Sequence, residues 1–229
     1  VVETNLQSIE EVSEGRVRGL VAAAGSYMAR IQRGQETRQM TVQVSELPEP
    51  MPLSGPWRLV LEGVRFPRKE LLLERLISWT EREDLQFFSG TGAYELEFEL
   101  PGAYVSPELE LVLELGQVGS VAEIFLNGRR AGVCWMQPYR LNVTPYAQAG
   151  RNRLRILVTN TLINHVAGLE EPPPVPEELR PHYGGEFTGY EHGRRFFFGR
   201  DRKFRPLPPS GLMGPVRIVA LRKVEARAS

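Results

Sequence analysis

The chain holds one cysteine, Cys134, in 229 residues. A single thiol excludes an internal disulfide and a zinc site built on cysteines. Set between Val133 and Trp135, it reads as a small buried hydrophobe. Net charge is also missing, because 28 Lys and Arg balance 28 Asp and Glu. A neutral chain has no bulk attraction for nucleic acid or an anionic membrane. No apolar run reaches the roughly 20 residues that a membrane-spanning helix needs. There is no internal repeat, and the sequence opens at Val1 with neither a methionine nor a pattern that reads as a targeting segment. The expectation is a piece of a longer polypeptide or a processed product.

Helical periodicity is scarce too. Only Lys69 to Ile77, apolar at Leu72, Leu73, Leu76 and Ile77, predicts a short helix. Period-two alternation is what the chain has in plenty. Leu109, Leu111, Leu113 and Leu115 alternate with Glu110, Val112 and Glu114, which places the leucines on one face of a strand. Val121 to Leu126 then meets Asn127-Gly128, the pair best able to take the two positive φ angles of a tight hairpin turn. Tyr94, Leu96, Phe98 and Leu100 alternate with three glutamates, and Leu154, Ile156 and Val158 repeat the pattern. With 22 glycines and 18 prolines as punctuation, these short runs predict an all-β, two-sheet sandwich.

Residues 1–15 read as a loop or the tail of an earlier element. Three short strands follow (Arg16 to Ala23, Ser26 to Gln32, Gln39 to Val44), then a stiff linker from Leu47 to Pro52. So few strands make a marginal unit. Residues 1–50 are read as trailing strands of a preceding β domain, although they could instead complete the sandwich of residues 51–229. Residues 161–209 form a proline-rich excursion, a length that usually has a function or lies over another surface.

The excursion carries the polar candidates. Glu186, Glu191 and Asp201 are its only attractive acids for hydrolysis, which needs two carboxyl groups placed across a sugar; loop acids are more often solvated. His182, Glu186 and His192 lack the HExxH spacing, so ordinary surface histidines are the simpler reading and no metal is assigned. Structural calcium would suit loop oxygens, but no acidic cluster points to it, and no cofactor is expected. Ser210 lacks the GxSxG pattern of a nucleophile and reads as a turn residue. The run from Arg194 to Arg205 interleaves bases with aromatics. Phe197, Arg200, Arg202 and Phe204 are candidates for docking a neighbouring domain; nucleic acid, which such a run can also bind, is disfavoured by the balanced charge.

Four motifs in order carry a family resemblance. They are Leu53-Ser54-Gly55-Pro56-Trp57; Trp79 followed by Phe88-Ser89-Gly90-Thr91-Gly92 and Tyr94; the long run from Leu113 to Asn160 through Asn127-Gly128, Trp135, Pro138-Tyr139 and Gly150-Arg151-Asn152; and Leu207 to Val216. Together they resemble the galactose-binding-like jelly-roll domain of large glycoside hydrolases. The C-terminal part of family 106 α-L-rhamnosidase-like proteins is similar, as are family 2 sugar-binding domains. Asn164-His165 stands where Asn-Arg is common in that family. The resemblance implies a non-catalytic module whose partner is a glycan or the neighbouring catalytic domain of the same polypeptide. Catalytic acids would lie in a barrel that this chain does not resemble, and export to the periplasm or medium would fit family habit.

A sugar site needs flat apolar surface for pyranose C–H faces and a few polar groups for hydroxyls. Candidates are Trp79, Phe87, Phe88, Tyr139, Asn164, His165 and Tyr190. Trp135 could serve as well, but packing between sheets is its simpler reading, as it is for Trp57.

Overall fold

The computed structural model describes residues 3–6, 8–13, 16–33, 35–63, 65–169 and 206–227. In chain order the strands are β1 (Glu3–Thr4), β2 (Ser8–Ser13), β3 (Arg16–Val21), β4 (Gly25–Arg33), β5 (Glu36–Val44), β6 (Met51–Pro52), β7 (Trp57–Gly63), β8 (Phe66–Leu73) and β9 (Gly90–Leu100). They continue with β10 (Leu109–Glu114), β11 (Gln117–Gly119), β12 (Val121–Leu126), β13 (Arg129–Cys134), β14 (Arg140–Asn142) and β15 (Gly150–Thr159). A short helix α1 (Ile163–Ala167) follows, and β16 (Gly211–Gly214) and β17 (Arg217–Arg227) close the fold.

One six-stranded antiparallel sheet has the order β13-β12-β15-β9-β7-β8. The facing sheet runs β14-β10-β17-β3-β2, with β6 also paired to β17. Their inner faces share one core, in which Leu59, Tyr94, Leu96, Ile124, Leu154 and Ile156 of the first sheet meet Leu109, Leu111, Leu113, Ile218 and Ala220 of the second. The protein is therefore an all-β sandwich, as the alternation predicts. Val112 is buried on the opposite side from the leucines, where it joins Val219 and Leu221 in a small apolar cluster. The turn at Asn127-Gly128 has φ of 53° and 77°, and Asn127 donates from Nδ2 to the carbonyl of Tyr146 at 2.9 Å.

The last strand ties the chain together. Its first half pairs with β10 (Glu114↔Arg217 to Leu109↔Arg222), and its second half with β3 (Arg222↔Val21 to Arg227↔Arg16). Residues 8–13, expected as part of a loop or tail, form β2 and extend this sheet through β3. Strands β1, β4 and β5 form a separate three-stranded sheet. Val21, Val44 and Val224 pack together beneath Tyr27 and Leu47.

Two sequence expectations are corrected. The helix predicted from Lys69 to Ile77 does not form; Lys69 to Leu73 lie in β8, paired from Leu61↔Lys69 to Trp57↔Leu73. Leu73 is buried and Leu72 is 66% exposed, so the pleat of the partner strand, not a helical stripe, decides which leucine is inside. Trp135, expected between the sheets, is 69% exposed. Cys134 takes the inward position of β13, and alternation turns Val133 and Trp135 out to solvent.

The solvent face of the first sheet is a ladder of Arg and Glu. Glu95 accepts from Arg58 at 2.9 Å and from Arg153 at 3.1 Å, Arg58 also pairs with Glu70 at 2.7 Å, and Arg151 pairs with Glu97. Exposed pairs of this kind are screened by water and add little to stability. A fully buried leucine or isoleucine contributes roughly 1.5–3 kcal/mol, so the inner face drives folding and the ladder sets its pH dependence. Partial burial pushes the Glu95 carboxyl up, but donation from Arg153 and Arg58 outweighs it and holds the group below its ordinary value. Arg58 lowers Glu70, and Arg82 with Lys69 lowers Asp84. Such depressed carboxyls stabilise the fold above the unfolded carboxylate pKa and lose that contribution as pH falls through the folded value. The melting temperature is expected to fall from about pH 5 toward pH 2. Calorimetry across this range should show a shallower fall for Glu95→Gln, and an unchanged slope would count against the ladder.

Candidate functional site

Most of the predicted aromatic and polar candidates converge where the excursion leaves and rejoins the sandwich, but they form a packed knot, not an open platform. Ser78 caps a single 3-10 turn, Trp79–Glu81; its Oγ accepts from Thr80 N at 3.3 Å, and Glu81 reaches back to Ser78 N. This turn directs Trp79 inward. The indole is 1% exposed, donates from Nε1 to the Tyr94 hydroxyl at 2.7 Å, and meets Phe88 edge-on at 5.0 Å. The Tyr94 hydroxyl also accepts from Leu212 N at 3.0 Å. Burial pushes the Tyr94 phenol well above its usual pKa, and the two donors reverse only part of that rise. It stays neutral and structural.

Ser210, a turn residue in the sequence reading, is the centre of the knot. Its Oγ accepts from Asn164 Nδ2 at 2.9 Å and Asn160 Nδ2 at 3.2 Å, and donates to the Pro208 carbonyl at 3.2 Å. Its amide donates to Ser78 Oγ at 3.0 Å, and its carbonyl accepts from Trp79 N at 2.9 Å. Asn160 also donates to the Phe88 carbonyl and accepts from Gly90 N, both at 2.9 Å. The backbone N of His165 donates to buried Ser89 Oγ at 3.0 Å. Gly211 follows at φ +90°, and a Cβ there would come within 2.6 Å of Trp79 Nε1. Only glycine allows the strand to approach the indole this closely. The sequence signal for this hub was the Pro-Ser-Gly of the closing motif, whose serine looked ordinary in one dimension.

The candidate sites therefore divide. Trp79, Phe88 and Asn164 are enclosed, and their faces are already used by the protein. Phe87 is 36% exposed and lies against α1, where a Cβ on Gly168 would come within 2.5 Å of its ring. His165 is half-buried. Tyr139 belongs to a different surface, beside Glu114, Gly116, Gln137, Pro138 and Arg140, with its hydroxyl donated to the Ser120 carbonyl at 3.0 Å. Tyr190 lies outside the described residues, as do Phe197, Arg200, Arg202 and Phe204 and the polar candidates His182, Glu186, Glu191, His192 and Asp201. Among the described residues no three His, Cys, Asp or Glu side chains gather as a metal site would require. No helix of the described residues is long and apolar enough to cross a membrane.

Comparison with known proteins places this sandwich within much longer chains. No family model matches the sequence. The chain is 31% identical over 200 residues to a Formosa agariphila protein named "Putative beta-glucuronidase"; the match takes 80% of this chain and 16% of that one. Among solved structures, the rhamnosidase of Novosphingobium sp. PP1Y is similar over 93% of this chain and 23% of its own, at 20% identity and a TM-score of 0.56. That likeness is one of fold. The β-D-glucuronidase of Dictyoglomus thermophilum matches 52% of this chain and 21% of its own, at 22% identity and a TM-score of 0.41. The chain thus spans only a small part of the relatives it matches.

Ser210→Ala would leave Asn160 and Asn164 without their shared acceptor in a buried setting. Urea unfolding should show a loss of about 1–3 kcal/mol. An unchanged midpoint would show that the knot does not hold the excursion's two ends.

Proposed function

We propose that this chain is a non-catalytic accessory β-sandwich of a larger glycoside hydrolase, binding a glycan or framing the catalytic domain. The supporting observation is the match of 80% of the chain to 16% of the Formosa protein, joined by a fold shared with one part of a rhamnosidase. The finer reading, a galactose-binding-like jelly roll of an α-L-rhamnosidase-like protein, rests on the four ordered motifs. On this reading residues 1–50 are the trailing strands of an adjoining β unit, joined edge to edge through β3 and β17.

A second reading, a docking module without glycan affinity, draws on Leu162, Ile163 and Phe87, exposed apolar side chains near the point where the excursion departs. The docking candidates of the sequence, Phe197, Arg200, Arg202 and Phe204, lie outside the described residues.

The chain alone should release no nitrophenol from aryl α-L-rhamnosides or β-D-glucuronides, while the full-length parent polypeptide should. Turnover by this chain that is lost on replacing Glu186 or Asp201 would overturn the accessory reading.

A further inference from the structure

Trp135 is the least expected side chain on the surface. At 69% exposure it leaves a large ring in water, and Met136 beside it is 56% exposed. An exposed indole offers a ligand a flat apolar face with an N–H at its edge. The loop is fixed. Cys134 Sγ donates to the Arg140 carbonyl at 3.6 Å, the Tyr139 carbonyl accepts from Leu115 N at 2.9 Å, and the Tyr139 hydroxyl is tied to Ser120. A site built this way pays little ordering entropy when a ligand arrives.

An open cleft of about 570 Å³ is lined by Glu114, Gly116, Gln137, Pro138, Tyr139 and Arg140; Trp135 stands two residues before this lining in the chain, and Arg217 joins it through Glu114. This volume suits one or two sugar rings. Its charge is uneven. The Glu114 carboxylate, with its side chain 15% exposed, is held by Arg140 Nη2 at 2.9 Å on one oxygen and by Arg217 Nε on the other. Two guanidinium groups around one carboxylate leave one positive charge in excess. Each guanidinium carries five N–H groups, and the Arg140 and Arg217 side chains are 39% and 47% exposed. Donors therefore remain for a second carboxylate in the planar geometry that arginine favours.

We infer that this cleft binds an acidic oligosaccharide, with one pyranose ring stacked on Trp135 and the carboxylate of a neighbouring uronate on Arg140 and Arg217. Gln137 supplies an amide for hydroxyl groups. This inference rests on the accessory-module reading and names its ligand class.

Isothermal titration of the whole chain with an oligogalacturonate and with a neutral xylo-oligosaccharide of equal length is the test. The acidic sugar should bind, and the neutral one at least about tenfold more weakly. Trp135→Ala and Arg140→Gln should each weaken acidic binding about tenfold or more. Arg151→Gln, on the remote Arg–Glu ladder, should leave it within about twofold, with folding of each variant checked by melting temperature. No acidic binding, equal binding of the neutral sugar, wild-type affinity in Trp135→Ala, or an equal loss in Arg151→Gln would overturn the inference. These outcomes leave the accessory role standing, because that role is decided by the turnover assay.

Discussion

The structure depends on the close approach of the chain's closing segment to the indole of Trp79. Gly211, without a side chain, lets the backbone come up against Trp79 and Tyr94, and Leu212 N then reaches the Tyr94 hydroxyl. Ser210, one residue earlier, satisfies the amides of buried Asn164 and half-buried Asn160 and locks onto Ser78. Once this contact is made, Gly211–Gly214 pairs with β11, and the chain enters β17, which carries β10 on one half of its length and β3 on the other. Without that strand the leucine face of β10 would lose the neighbour through which the second sheet is assembled.

This constraint also explains where function can lie. The knot is dense and polar, with its hydrogen bonds made inside the protein, so it ties Asn160 and Asn164, where the excursion leaves, to Pro208 and Ser210, where it returns. The proposed glycan surface lies elsewhere, on the loop between β13 and β14, which carries the exposed Trp135 and contributes Gln137, Pro138 and Tyr139 to a cleft with Glu114 and Arg140.

Much of this was legible in one dimension. Leu109, Leu111, Leu113 and Leu115 announced a strand face, Asn127-Gly128 announced its hairpin, and the sandwich followed from the repeated alternation. The errors have physical causes. Lys69 to Ile77 carries leucines at both helical and strand spacing, and only the pairing with β7 decides between them. The two tryptophans exchanged roles: Trp79, a sugar-site candidate in the sequence, is turned inward by its short capped turn, and Trp135, expected between the sheets, is exposed. Ser210 could not be recognised because its partners, Ser78, Asn160 and Asn164, are 46 or more residues away. The docking candidates from Phe197 to Phe204 fall outside the described residues.

Native-state hydrogen exchange tests the central claim most directly. If the closing segment and the Trp79 turn form one cooperative unit with the sandwich, the amides of Trp79, Ser210 and Leu212 will exchange as slowly as those of Leu154 and Ile156 in β15, through global unfolding alone. Exchange of those three amides orders of magnitude faster than β15 would show a sandwich that stands without its closing knot, and would contradict the account.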